Sequence, residues 1–197
     1  MGISRIALSS LTTLNKSDSF LDGNPPYIPS SFYNIATANG TGSSGTITFS
    51  SIPSTYKHLQ IRFIAKSTDT SGGIGYIFYK SNNATIYRHH ELYGNGSTAY
   101  ASNGNDGQGY LYGGLAYGNA SIANIYAVGI IDILDYASTT KNKTYRIMWG
   151  QNTNSTYSGD ISLGSYLEGT SAITSLTLST DLGNFTTASS FALYGVN

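Results

Sequence analysis

The chain has 197 residues, of which 10% are charged, and its formal net charge is +0. An ordinary globular domain carries about a quarter charged residues, and a balanced charge this low argues against steering toward nucleic acid or an anionic membrane. Cysteine is absent, which removes disulfide frameworks, thiolate metal sites and cysteine nucleophiles together.

Residues 1–35 read as an extended arm with at most one short helical turn. Ile3, Ile6, Leu8, Leu11, Leu14, Phe20 and Leu21 are apolar anchors dispersed along a polar chain, suited to a partner surface or to packing along the arm's own domain. Asp22-Gly23-Asn24-Pro25-Pro26-Tyr27-Ile28-Pro29 excludes regular structure, because three prolines remove backbone donors and fix φ. The first residues lack the apolar core of a secretion signal, and no run approaches the roughly 18 apolar residues of a membrane span. The expected domain division is an arm and linker over 1–45 and a β-sandwich over 46–197.

From residue 46 onward strand follows strand. A short one covers 46–50. Leu59, Ile61, Phe63 and Ala65 then alternate with His58, Gln60, Arg62 and Lys66, the period of two of a half-buried strand. Strands follow over 74–80, 86–93 and 110–117, and 122–134 is an apolar run bent or bulged at Gly129. Tyr145, Ile147 and Trp149 alternate with Thr144, Arg146 and Met148. Further strands cover 161–165, 175–178 and 191–196. Nine or ten strands with regular turn signals predict an all-β, jelly-roll-like antiparallel sandwich. Its edges need cover from the arm or from a neighbouring subunit, since few lysines protect them.

The constellations that could carry chemistry are sparse. His89-His90-Glu91 is half a metal site, because on a strand His89 and Glu91 share a face while His90 points away; a structural histidine pair is the simpler reading. Asp132 and Asp135 are the closest carboxylates in a core-like segment, but i and i+3 point to opposite faces of a strand, and Asp135 suits the opening of the turn that follows. Gly107-Gln108-Gly109-Tyr110-Leu111-Tyr112-Gly113 has no helix behind it and is not a dinucleotide loop. The sequence therefore predicts no enzyme, no cofactor and no metal. The chain has 17 tyrosines, and Tyr93, Tyr100, Tyr110, Tyr112 and Tyr117 crowd one segment amid Gly, Asn and Ser. Such rings serve a glycan or protein surface and equally a subunit interface.

Several stretches together carry a resemblance: Ile47-Thr48-Phe49-Ser50-Ser51-Ile52-Pro53 before Tyr56-Lys57-His58-Leu59-Gln60-Ile61-Arg62, the turn Asp135-Tyr136-Ala137-Ser138-Thr139-Thr140-Lys141-Asn142-Lys143-Thr144 before the Trp149 strand, and Ala172-Ile173-Thr174-Ser175-Leu176-Thr177-Leu178 before the closing Ser190-Phe191-Ala192-Leu193-Tyr194-Gly195-Val196. With Ser17-Asp18-Ser19-Phe20-Leu21-Asp22-Gly23-Asn24, the chain resembles virion structural proteins of tailed bacteriophages. That resemblance implies a virion component, assembled in the host cytoplasm. The expectation is a capsid cement or decoration protein, gripping the major capsid protein through its arm and forming a homotrimer, without nucleic acid or membrane. A short tail fibre or adhesin that binds host glycans is the alternative.

Overall fold

A computed structural model describes residues 31–71, 74–82, 84, 87–106, 109–118, 124–151 and 161–197. The anchors Ile3, Ile6, Leu8, Leu11, Leu14, Phe20 and Leu21 lie outside the described residues.

Among the described residues, twelve strands form two antiparallel sheets. They are β1 (Phe32–Asn39), β2 (Thr46–Phe49), β3 (His58–Ala65), β4 (Ile74–Ser81), β5 (Tyr87–Gly94), β6 (Ala99–Asp106), β7 (Leu111–Tyr117), β8 (Ala127–Leu134), β9 (Lys143–Gly150), β10 (Ile161–Glu168), β11 (Leu176–Thr180) and β12 (Ser190–Val196). The large sheet runs β1-β12-β3-β8-β9-β10-β5-β6 and the small sheet β2-β11-β4-β7.

Pairing is nested: β1 with β12, β2 with β11, β3 with β8, β4 with β7. A long antiparallel ribbon folded back across two sheets produces this pattern, and it is the jelly-roll connection. The remaining strands widen the roll. The β5–β6 hairpin is inserted at the ribbon's tip, and β9 and β10 follow β8, so the large sheet continues four strands past β8.

The core is what the alternating strands bury. Leu59, Ile61 and Phe63 of β3, Ile131 and Ile133 of β8, and Phe191 and Leu193 of β12 are buried with Ile47, Phe49, Ile77, Leu111, Leu176 and Leu178 of the small sheet. Each such side chain contributes about 1.5–3 kcal/mol on burial. Tyr79 of β4 and Tyr145 of β9 meet edge to face across the two sheets, centroids 5.2 Å apart.

Three sequence expectations need correction. The sandwich begins at Phe32 rather than 46, because β1, expected in the arm and linker, pairs with β12 over its whole length. Its alternation is broken between Asn34 and Ala36, where the register shifts. Strand β6, in which Tyr100 is the one strand-favouring residue among Ala, Ser, Asn, Gly and Asp, forms because β5 templates it. Gly129 does not bend β8, which keeps register with both neighbours. It is glycine because a Cβ there would lie 2.3 Å from Cζ of Phe63.

Candidate binding surfaces

The outer face of the large sheet is built by the residues between the core positions. Across it, Ala192, Arg62, Ile130, Met148 and Leu92 fall on one row of the pairing register, with Leu163 between Met148 and Leu92. Beside them Ile64 pairs with Val128, and Val128 with Gly150. Eight large apolar side chains are exposed among the described residues, and six of them (Phe32, Ile64, Leu92, Val128, Leu134 and Met148) stand on this face. Arg62, Val128, Ile130 and Met148 ring an apolar depression of about 390 Å³ over Gly129 and Gly150. Eight strands of about eight residues span roughly 1,000 Å², enough for the ~800 Å² per partner of a standard interface.

A polar row adjoins the apolar one. Nε of Arg62 donates to Oε1 of Gln60 at 2.6 Å, and Nε2 of Gln60 donates to Oδ1 of Asp132 at 2.7 Å. Arg146 donates through Nε and Nη2 to Oδ2 of Asp132, at 3.0 and 2.6 Å. The Arg62 guanidinium also lies over the rings of Phe32 and Tyr194, 5.0 and 5.3 Å from their centroids. Asp132 and Arg146 are therefore paired before any partner arrives, while the hydrogen bond of Arg62 goes to the neutral Gln60 amide.

Asp132 and Asp135 have separate duties. Asp135 sits in the turn after β8 with φ of 49°. Its carbonyl accepts from the Ser138 amide at 2.9 Å, while its carboxylate takes Lys141 Nζ at 2.7 Å rather than bonding its own backbone. The Lys141 hydrogen bond holds the Asp135 carboxyl below its ordinary value, against a smaller opposing effect of burial. Lys143 is buried, and its ammonium donates to the carbonyls of Ser138, Lys141 and Thr170. Lys66, expected on a polar strand face, is also buried, with its ammonium 5.8 Å from the Tyr126 ring centroid. Next to Asp135, burial pushes the Tyr136 phenol up, and its hydroxyl donates to the Pro53 carbonyl.

The five tyrosines do not form one site. Tyr93 and Tyr100, paired across the β5–β6 hairpin, stack at 4.9 Å with ring planes 16° apart. The hairpin turn is held by Asn95 Oδ1, which accepts from the amides of Ser97 and Thr98, and by Gly96 at φ of 85°. Tyr117 ends β7 opposite Ile74. Tyr110 and Tyr112 join Tyr76 and Phe78, which sequence reasoning missed, on the outer face of the small sheet. Phe78 lies 4.1 Å from Tyr110 and 5.7 Å from Tyr112, and Tyr76 lies 5.3 Å from Tyr112, all between centroids. Alternation in 74–80 was the available signal, since Tyr76 and Phe78 share a face opposite Ile77 and Tyr79.

His89 is buried and His90 exposed, as strand alternation requires. Among the described residues no three His, Asp or Glu side chains gather where they could hold a metal ion. No family model, curated protein or solved structure matches the chain.

Proposed function

We propose that the chain is a structural component of a tailed-phage virion, a cement or decoration subunit that assembles as a homo-oligomer and is anchored on the major capsid protein by its first thirty or so residues. The observation that carries this reading is the outer face of the large sheet. A monomer rarely exposes a contiguous apolar patch beyond a few hundred Å², and here Ile64 and Val128 adjoin the row of Met148 and Leu92 on one face, beside the Asp132–Arg146 ion pair. A jelly roll suits such a role, although the fold alone does not assign it. The resemblance to phage virion proteins supplies the assembly.

The test uses purified particles. Mass spectrometry of particles is expected to find the chain in fixed stoichiometry with the major capsid protein, and imaging is expected to place it on the head. Removing residues 2–30 is expected to release the protein while the sandwich stays folded. Absence from particles would overturn the reading. Density on the tail would favour a short fibre or adhesin, which the aromatic cluster of the small sheet supports.

A further inference from the structure

We propose that the outer face of the small sheet binds a neutral oligosaccharide, its sugar rings stacked on Tyr76, Phe78 and Tyr112 and its hydroxyls met by Thr48, Thr177 and Ser179. The proposal goes beyond the structural reading and does not depend on where in a virion the subunit sits.

The pairing register makes the platform. Thr46, Ser179, Phe78 and Tyr112 lie on one straight row across all four strands, a line of about 14 Å between the outer strands. Half of that row is hydroxyl and half aromatic. Thr48 and Thr177, on the next row, share a hydroxyl contact of 3.3 Å. A pyranose presents C–H bonds on its faces and hydroxyls at its rim. The C–H faces pack on the electron-rich faces of aromatic rings, and rim hydroxyls exchange hydrogen bonds with Ser and Thr, which both donate and accept.

A β-bulge puts the rings there. Ile77 pairs with Gly114, but Phe78 pairs with Tyr112, leaving Gly113 as an extra residue in β7. In unbroken register Phe78 would face Gly113, and Tyr112 would fall beside Tyr79 on the buried side. The extra residue turns Tyr110 and Tyr112 outward beside Phe78. Bulges are retained where a side chain must be re-aimed.

Area and charge choose the ligand. Four short strands offer roughly 400 Å², half of what each side of a standard protein interface buries, about 800 Å². That footprint suits a small ligand. Lys80 is the one charged side chain on these two rows among the described residues, and beside Tyr76 the Asp181 carboxylate accepts from its amide at 2.7 Å. An acidic glycan would need basic partners, so a neutral one fits.

The test is binding by the full chain to maltohexaose, cellohexaose, mannohexaose and chitohexaose, with heparin and polygalacturonate as acidic controls. At least one neutral hexasaccharide is expected to bind in calorimetry at millimolar concentration or below. Tyr76→Ala and Tyr112→Ala are each expected to weaken it about tenfold or more, and Thr177→Val several-fold, with unchanged melting temperatures. Tyr76 is 42% exposed, so its variant keeps the test informative if Tyr112→Ala fails to fold. Failure of all four neutral sugars, binding of the acidic controls alone, or wild-type affinity in the ring variants would each overturn the proposal. None of these results bears on whether the chain is found in particles.

Discussion

Tyr112 stands directly across from Phe78, ring centroids 5.7 Å apart, because one residue too many in β7 resets the pairing after Ile77. Deleting Gly113 removes the extra residue and leaves Ile77 opposite Gly114 and Phe78 opposite Tyr112 in an unbroken ladder. The Tyr112 ring therefore stays on the outer face. The deletion variant is expected to fold and to keep the accessibility of its tyrosines to a soluble quencher. Loss of that accessibility would mean that Gly113 is not the residue the bulge leaves unpaired.

Gly129 illustrates crowding between the sheets. A Cβ at this position would approach Phe63 Cζ to 2.3 Å and Trp149 Cβ to 3.1 Å. Phe63 cannot retreat freely, since it stacks on Phe191 at 5.9 Å. Gly129→Ala is therefore expected to destabilise by about 1–3 kcal/mol. Gly169→Ala, where nothing lies within 4 Å, is expected to be neutral. Equal stability of the two variants in chemical denaturation would contradict the packing account.

How much of this was legible in the sequence depended on whether one strand face was buried. Residues 58–65, 145–149 and 191–196 alternate cleanly because their inner side chains enter the core, and the sequence yields them directly. Strand β1 escaped because it is an edge strand with a register break between Asn34 and Ala36. Strand β6 escaped because Tyr100 alone among Ala, Ser, Asn, Gly and Asp carries no strand signature without β5 beside it. The tyrosine surplus was visible, but its division was not. Tyr110 and Tyr112 find partners some thirty residues earlier through β4–β7 pairing, and sequence spacing carries no trace of the bulge that turns them outward. The outer apolar face was hidden in a similar way. Ile64, Val128 and Met148 occupy positions that alternation assigns to solvent.

Acid should weaken the turn after β8. The Lys141 hydrogen bond holds the Asp135 carboxyl below its ordinary 3.8, so the folded state prefers the carboxylate more than the unfolded chain does. The resulting stability is complete above 3.8 and is lost as pH falls through the lower folded-state value. Melting temperatures of the wild type and of Asp135→Asn are expected to converge as pH drops below that point, and to differ modestly above it because the pair is solvent-exposed. A constant difference across the acid range would show that the ion pair is not its source. Added salt is expected to narrow the difference at neutral pH.

Charge placed in the apolar row tests the outer face of the large sheet. Met148 is 49% exposed and Val128 52% exposed, so glutamate at either position has access to water in a free subunit and costs the fold little. Within an interface the same carboxylate is desolvated among apolar side chains, and the neighbouring Arg146 is already bound to Asp132. Truncation or charge at a buried interface centre commonly costs 2 kcal/mol or more, which is about a thirtyfold loss of affinity. Light scattering of the wild type is expected to report an oligomer, and Met148→Glu and Val128→Glu to report folded monomers over the same concentration range. A monomeric wild type, or variants that assemble as it does, would remove this face as the site of self-association.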